Sequence, residues 1–328
     1  MRILFWGTPD FAVPSLRALM GEGFDIVAVV TQPDRPAGRG RRLTPSPVKQ
    51  AALEEGLTVL TPERPRGEEF LSLIRDLQPD ISVVVAYGHI LTREVLDVPR
   101  LGSINLHSSL LPELRGAAPI NWAIARGYEE TGVTVMRMVE AMDAGPIIHQ
   151  AAEPILPDET AGELTLRLSE VGAAVLVEAL ALLSAEAAEE VEQDEDAVTF
   201  APKIDRETAR IDWTWPASEI VNHIRSMDPV PGAWTLLDGV PVKMFRPAAP
   251  TSQKTTDGDA SSNGADPLVH SVEPSPGRVV GADPAEGILV AAGTGQVLLR
   301  EVQPPGKRRM DAADWINGRG VTVGQTFD

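Results

Sequence analysis

The sequence lacks cysteine and any long apolar run. None of its 328 residues is a cysteine, so disulfides, thiolate catalysis and thiolate metal sites are excluded, and a reducing compartment is favoured. No apolar stretch approaches the roughly 18 residues that a membrane-spanning helix needs. The apolar segment near the N-terminus ends before Thr8 and is too short for a signal peptide. We therefore expect a cytoplasmic protein with no membrane partner.

Basic residues are also scarce relative to acidic ones. The chain has 29 Lys and Arg against 47 Asp and Glu, a net charge of −18, which argues against a general nucleic-acid binder because acidic surfaces repel phosphate. The charge is uneven, however, since residues 186–196 carry seven acids and no base, whereas residues 35–42 carry four arginines and no acid. A basic loop can dominate locally within a Debye length of about 8–10 Å. Local contact with nucleic acid is therefore compatible with the charge, and we expect it to be salt-sensitive.

Apolar runs alternate with amphipathic segments in the first part of the chain, which predicts an α/β fold with a mostly parallel sheet. A strand at 146–152 is predicted to form an antiparallel edge, and a long helix at 160–183 to complete the first domain. The turn after the first strand lacks GxGxxG, so a dinucleotide site is weakly indicated. The predicted strands of this part are 2–7, 25–30, 58–60, 80–88, 101–107 and 133–139.

From about Lys203 the pattern changes to short strands separated by hairpin signals. Turns are expected at Asp238-Gly239 and at residues 293–295, and such meanders predict a small antiparallel barrel. Residues 248–275 are rich in Ser, Thr, Asp and Gly, cannot bury a core and are expected to be disordered. The predicted organisation is a first domain at 1–185, an acidic linker at 186–205 and a second domain at 206–328.

Three polar residues stand where a reaction site is expected. Asn105 and His107 are two residues apart at the end of a predicted strand, so their side chains share one face, and strand ends in open α/β sheets line ligand crevices. Asp143 follows 36 residues later, in a turn after another strand. An amide, an imidazole and a carboxylate can polarise a carbonyl, move a proton and orient the base. Singly, each has an ordinary structural explanation as a turn former or a hydrogen-bonded filler.

Longer motifs carry a family resemblance. The segments INLHSSLLPELRGAAPINWA and MDAG resemble the active-site signature of the folate-dependent formyltransferases. GTPDFAVPSL and TQPDRPAGRGRRLTPSPVK are similar to those of members that act on methionyl-tRNA. The resemblance implies a Rossmann-like formyltransferase domain, an OB-like tRNA-binding barrel, 10-formyltetrahydrofolate as formyl donor, initiator methionyl-tRNA as acceptor, no metal and a monomer.

The resemblance also implies roles for individual residues. Asn105 is expected to donate to the formyl oxygen, His107 to take the proton of the attacking amine, and Asp143 to hold the imidazole. At Glu113-Leu114 this chain departs from the basic-aromatic pair common in the family. The implied folate contacts are Tyr87, Gly88, Ser109, Leu110, Leu111 and Pro112. The implied tRNA contacts are Arg39, Arg41, Arg42, Lys307 and Arg308, with Arg309 beside them.

Two other functions remain open on the sequence. One is a formyltransferase that acts on a small amine such as glycinamide ribonucleotide or an amino sugar-nucleotide, for which the basic loop and the barrel would be superfluous. The other is a non-catalytic nucleotide- or RNA-binding protein of Rossmann plus OB architecture. That alternative leaves the pattern of Asn105, His107 and Asp143 without a purpose.

Overall fold

The computed structural model describes residues 1–37, 40, 42–248 and 274–328. The chain divides into two compact units, the first made of residues 1–123, 128–156 and 162–203, and the second of residues 124–127, 157–161 and 204–328. Most of the predicted insertion at 248–275 lies outside the described residues, as do Arg39 and Arg41. The predicted domain limits stay a prediction.

The predicted strands up to Ala201 occur in the predicted order, and short additional elements lie between them. The strands are β1 Arg2–Gly7, β2 Asp25–Val30, β3 Arg35–Ala37, β4 Arg42–Thr44, β5 Val59–Leu60, β6 Ile81–Val85, β7 Ser103–His107, β8 Arg115–Gly116, β9 Glu130–Arg137, β10 Ile147–Pro154 and β11 Phe200–Ala201. The helices are α1 Val13–Gly21, α2 Pro47–Glu54, α3 Glu68–Asp76, α4 Arg93–Leu96, α5 Pro119–Ala125 and α6 Ala161–Ser184, with 3-10 turns at Asp10–Ala12 and Glu195–Ala197.

The seven-stranded sheet of the first unit runs in the order β10-β9-β7-β6-β1-β2-β5. Strands β7, β6, β1, β2 and β5 are parallel, whereas β9 and β10 form the antiparallel edge. Every residue of β6 is buried, as expected for a parallel strand covered on both faces. The α/β fold with a mostly parallel sheet is thus confirmed.

The loop at 31–47 contains a short hairpin that the sequence analysis did not predict. Strand β3 pairs with β4 in antiparallel register, and all residues of β4 are exposed. Because strand prediction depends on an alternation of buried and exposed side chains, an exposed hairpin rich in Pro, Gly and Arg gives no such signal.

The acidic segment after α6 is packed rather than free. Its residues up to Lys203 belong to the first unit, β11 pairs with β8, and Gln193 is 8% exposed. The predicted limits of the linker, 186–205, stay a prediction, and the segment up to Lys203 is packed within the first unit. The reason is that a few polar residues in it find buried hydrogen-bond partners, which composition alone does not reveal.

In its described residues, the second unit is an antiparallel β structure with two helices. Its elements are α7 Ala217–Met227, β12 Ala233–Leu237, β13 Val240–Ala248, β14 Val279–Asp283, β15 Gly287–Ala291, β16 Gln296–Gln303, β17 Met310–Asp311 and α8 Ala312–Asn317. The sheet runs in the order β12-β13-β16-β15-β14, with β17 paired to β16.

The last residues of the chain connect the two outer strands of this sheet. Phe327 bridges to Leu237 at the end of β12, and Thr326 bridges to Arg278 just before β14. Because one segment pairs at both edges, the sheet has the closure expected of a small barrel. Along the described parts of the chain, no helix combines the length and apolar character that crossing a lipid bilayer requires.

Candidate active site

A cavity of about 650 Å³ lies where β6, β7 and β9 end, and its size is typical of small-molecule sites. All three residues of the predicted site line it, so Asn105, His107 and Asp143 come together. Its apolar wall includes Val84, Ile90, Leu91, Leu96, Met138 and Val139.

His107 is held by a backbone carbonyl of the loop that follows it. Its ring is 6% exposed, and Nε2 lies 3.0 Å from the carbonyl oxygen of Leu114. Because a carbonyl can only accept, Nε2 must carry the proton and donate. In the neutral ring the lone pair is therefore on Nδ1, which is the nitrogen 3.8 Å from Oδ2 of Asp143.

Asp143 lies near His107 but is anchored by another group. A separation of 3.8 Å permits electrostatic attraction and is too long for a hydrogen bond. Oδ2 instead accepts a 2.8 Å hydrogen bond from the backbone N–H of Gly116, in the motif RGAAP. The expected convergence of the two side chains is present, but the orientation of the imidazole comes from Leu114 rather than from Asp143.

The loop that carries Leu114 is itself fixed by the acidic segment. The backbone N–H of Leu114 donates to Oγ1 of Thr199 at 2.9 Å. Arg115 is 5% exposed and donates to Gln193 at 2.8 Å and to Glu195 at 2.9 Å. Sequence reasoning missed Leu114, Gln193 and Thr199. The only signal for Gln193 was a single amide within a run of acids.

Tyr87 and Gly88 line the cavity, and the folate contact predicted for them stays a prediction. The ring of Tyr87 packs edge-on against Trp6, with centroids 5.2 Å apart. Its hydroxyl is buried with no hydrogen-bond partner among the described residues, and burial raises the pKa of Tyr87 to about 12. Gly88 has φ +84°, and a Cβ there would lie 2.6 Å from Nε2 of Gln32, so a larger residue is disfavoured.

The four residues from Ser109 to Pro112 are placed differently. None of them is among the lining residues of the cavity. The Ser109 hydroxyl donates to the carbonyl of Glu113 at 2.6 Å, and the N–H of Leu111 donates to Oγ1 of Thr134 at 3.1 Å. The folate contact predicted for Ser109, Leu110, Leu111 and Pro112 stays a prediction.

The predicted tRNA contacts that fall within the described residues are mostly exposed. Arg42 lies on β4, and Lys307 and Arg308 lie on the turn after β16. Arg309 differs, because its guanidinium pairs with Asp228 at 2.6 Å and with Glu301 and lies 4.1 Å from the ring centroid of Phe245. The guanidinium of Arg309 is thus engaged by residues of the second unit.

Two family profiles cover the chain. The profile described as "Formyl transferase" matches residues 1–180, and the one described as "Formyl transferase, C-terminal domain" matches residues 203–320. The sheet whose strand ends bring Asn105, His107 and Asp143 to one cavity lies within the residues that the first profile matches. The chain belongs to the formyl transferase family.

Relatives narrow the similarity within that family. The chain is 47% identical over 325 residues to the methionyl-tRNA formyltransferase of Moorella thermoacetica, covering 99% of this chain and 98% of the relative. It is also 47% identical to the methionyl-tRNA formyltransferase of Symbiobacterium thermophilum, covering 100% and 95%.

A solved structure shares the fold. HypX from Aquifex aeolicus, in complex with tetrahydrofolic acid, matches with a TM-score of 0.62 at 17% identity, covering all of this chain and 51% of that one. Among the described residues, no group of three or more His, Cys, Asp or Glu side chains could hold a metal ion.

Proposed function

We propose that this protein transfers the formyl group of 10-formyltetrahydrofolate to the α-amino group of initiator methionyl-tRNA, as a cytoplasmic monomer. The observation that carries the proposal is 47% identity across both units to relatives with that activity in their names. The cavity beside His107 supplies a site of suitable size for the donor.

The proposed role of Asn105 is to stabilise charge on the formyl oxygen. The amide is half-buried on the cavity wall, where a side-chain N–H can donate to an oxygen that becomes negative as the amine attacks. Such a donor is worth more in a partly dehydrated cavity than in water, because the surrounding dielectric is low.

The proposed role of His107 is proton transfer through Nδ1. Nε2 is committed to Leu114, so only Nδ1 can accept. A bond forms between the amine nitrogen and the formyl carbon, the bond from that carbon to the folate nitrogen breaks, and the proton of the amine passes by way of Nδ1 to the leaving nitrogen. The reference pKa of an α-amino group is about 7.7–8.0 and that of histidine about 6.5, which suits this exchange near neutrality.

The proposed role of Asp143 is electrostatic. Its carboxylate lies 3.8 Å from Nδ1, so it favours the imidazolium formed when the proton arrives. Because Gly116 already donates to the same oxygen, the carboxylate is held in place before the reaction and need not reorganise.

The proposed tRNA contacts are basic residues, of which the described ones, Arg42, Lys307 and Arg308, do not line the cavity. Arg39, Arg41 and Arg42 belong to the loop of four arginines, and Lys307 and Arg308 belong to the second unit. Arginine can donate in a forked geometry to phosphate. A protein of net charge −18 needs such local positive charge, because the rest of its surface repels RNA.

An acceptor comparison tests the proposal. We expect labelled formyl from 10-formyltetrahydrofolate to reach charged initiator methionyl-tRNA and to leave free methionine and glycinamide ribonucleotide unlabelled. Transfer to glycinamide ribonucleotide but not to the charged tRNA would overturn the proposed acceptor.

A further inference from the structure

Gln193 connects the turn that carries Asp143 to the loop that carries Arg115. Its Nε2 donates to the carbonyl oxygens of Asp143 and Gly145, both at 2.8 Å. Its Oε1 accepts from Nε and Nη2 of Arg115 at 3.0 and 2.8 Å. Both N–H groups and the oxygen of this buried amide are therefore used.

The turn itself has a conformation that needs such support. Asp143 has φ +54°, in the left-handed region that non-glycine residues visit at some energetic cost. Gly145 is pressed against β9, since a Cβ there would lie 2.0 Å from the carbonyl oxygen of Arg137. Two donated hydrogen bonds from Gln193 fix the direction of both carbonyls and so the direction in which the Asp143 side chain leaves the backbone.

The other end of Asp143 is fixed through the same connection. Gly116 donates to the Asp143 carboxylate, and Gly116 follows Arg115, whose guanidinium is bound by Gln193 and by Glu195 at 2.9 Å. Gln193 therefore contacts the backbone of Asp143 directly and, through Arg115, supports the loop whose N–H binds its carboxylate.

We propose that Gln193 is a positioning residue for formyl transfer, holding Asp143 at its distance from His107. This inference rests on the proposed role of Asp143. Gln193 is not among the residues that line the cavity, so it acts through Asp143 rather than on the substrate. A displacement of about 1 Å at a reacting centre can lower a rate by roughly 10²-fold.

The substitution Gln193→Glu distinguishes the hydrogen bonds that the amide accepts from those that it donates. A carboxylate still accepts from Arg115 but cannot donate to the carbonyls of Asp143 and Gly145. We expect kcat to fall on the order of 10²-fold, with KM for methionyl-tRNA and for 10-formyltetrahydrofolate within about two-fold of wild type. Gln193→Asn, which keeps the amide and shortens its reach by one methylene, provides the same measurement if Gln193→Glu does not fold.

A matched control accounts for the added negative charge. Gln78→Glu makes the same substitution at an exposed residue before β6, the strand whose C-terminal end lines the cavity, and should leave kcat unchanged. A loss in Gln193→Glu that Gln78→Glu reproduces would overturn the inference.

A double-mutant cycle tests whether Gln193 acts through Asp143. In an Asp143→Ala background we expect Gln193→Glu to cause no further loss of kcat. If the double variant instead loses kcat by the product of the two single losses, the inference is overturned. A structural defect that does not act through Asp143 would give that result. Wild-type kcat in Gln193→Glu together with a strongly impaired Asp143→Ala would refute this inference alone, whereas wild-type kcat in Asp143→Ala would refute the proposed role of Asp143 itself.

Discussion

The two ring nitrogens of His107 have different partners, so one substitution at this position changes both a structural hydrogen bond and the proposed proton transfer. One ring nitrogen donates to the carbonyl of Leu114 at 3.0 Å, and the other faces the cavity and Asp143. Leu114 is 1% exposed, so its carbonyl depends on His107 rather than on bulk water for a hydrogen bond. Truncating His107 therefore removes a proton acceptor and also leaves a buried carbonyl without its partner.

Two variants separate these effects. His107→Ala leaves the Leu114 carbonyl unpaired, which costs about 1–3 kcal/mol, or a fall in melting temperature between about 2 and 12 °C for a unit of 150–250 residues. His107→Gln places an amide N–H close to the position of Nε2 and should keep most of that stability. Neither variant has a base near neutrality, so both should lose about 10²–10⁴-fold in kcat.

The measurements are thermal unfolding by circular dichroism and single-turnover formylation of methionyl-tRNA. The reasoning about the base fails if His107→Gln forms product within ten-fold of the wild-type rate. The reasoning about the carbonyl fails if His107→Ala melts at the same temperature as His107→Gln.

Three further predictions follow from the structure. Asn105→Asp keeps the shape of the side chain and removes the N–H donor, so kcat should fall about 10²–10³-fold; a loss below ten-fold would contradict the assigned role. Burial lowers the pKa of His223 below 6.5, so the unfolded chain binds the proton more readily; the stability that His223 contributes is complete above about pH 6.5 and is lost as the pH falls. Urea unfolding at pH 7.5 and 5.5 should show a larger loss for wild type than for His223→Gln, and equal losses would count against this assignment. Arg42→Ala should raise KM for methionyl-tRNA at unchanged kcat and lower the salt slope of binding by about one, whereas an unchanged slope would exclude a phosphate contact.

Much of the fold could be predicted because its signals are local or periodic. Strand β6 is apolar except for Ser82 and is buried throughout, and β10, predicted as an antiparallel edge strand, pairs antiparallel with β9. The hairpin turn at Asp238-Gly239 is likewise encoded by adjacent residues. The β3–β4 hairpin gave no such signal, since all residues of β4 are exposed and the pairing of the two strands depends on the backbone.

The cavity-lining members of the site could be predicted for a similar reason. Asn105 and His107 are two positions apart on β7, and the alternation of a strand places them on one face. Asp143 could be placed in a turn after a predicted strand, but no local rule brings a turn 36 residues away to the end of β7. The 3.8 Å distance between Asp143 and His107 could be known only from the structure.

The groups that orient His107 and Asp143 could not be predicted. One is the backbone carbonyl of Leu114, and the other, Gln193, is distant in sequence from Asp143. The Leu114 group that holds His107 is a carbonyl, which any amino acid supplies, so the departure at Glu113-Leu114 does not remove the contact. Gln193 reaches Asp143 across 50 residues from a segment whose composition resembles that of a solvated linker. A reactive side chain can be recognised from its residue type. The residues that hold it in place depend on which buried carbonyls lie within reach of a donor, and the sequence does not show that. In the proposed mechanism the acidic segment therefore supports the candidate active site through one amide, and a boundary drawn by charge alone separates the Asp143 carboxylate from the group proposed to position it.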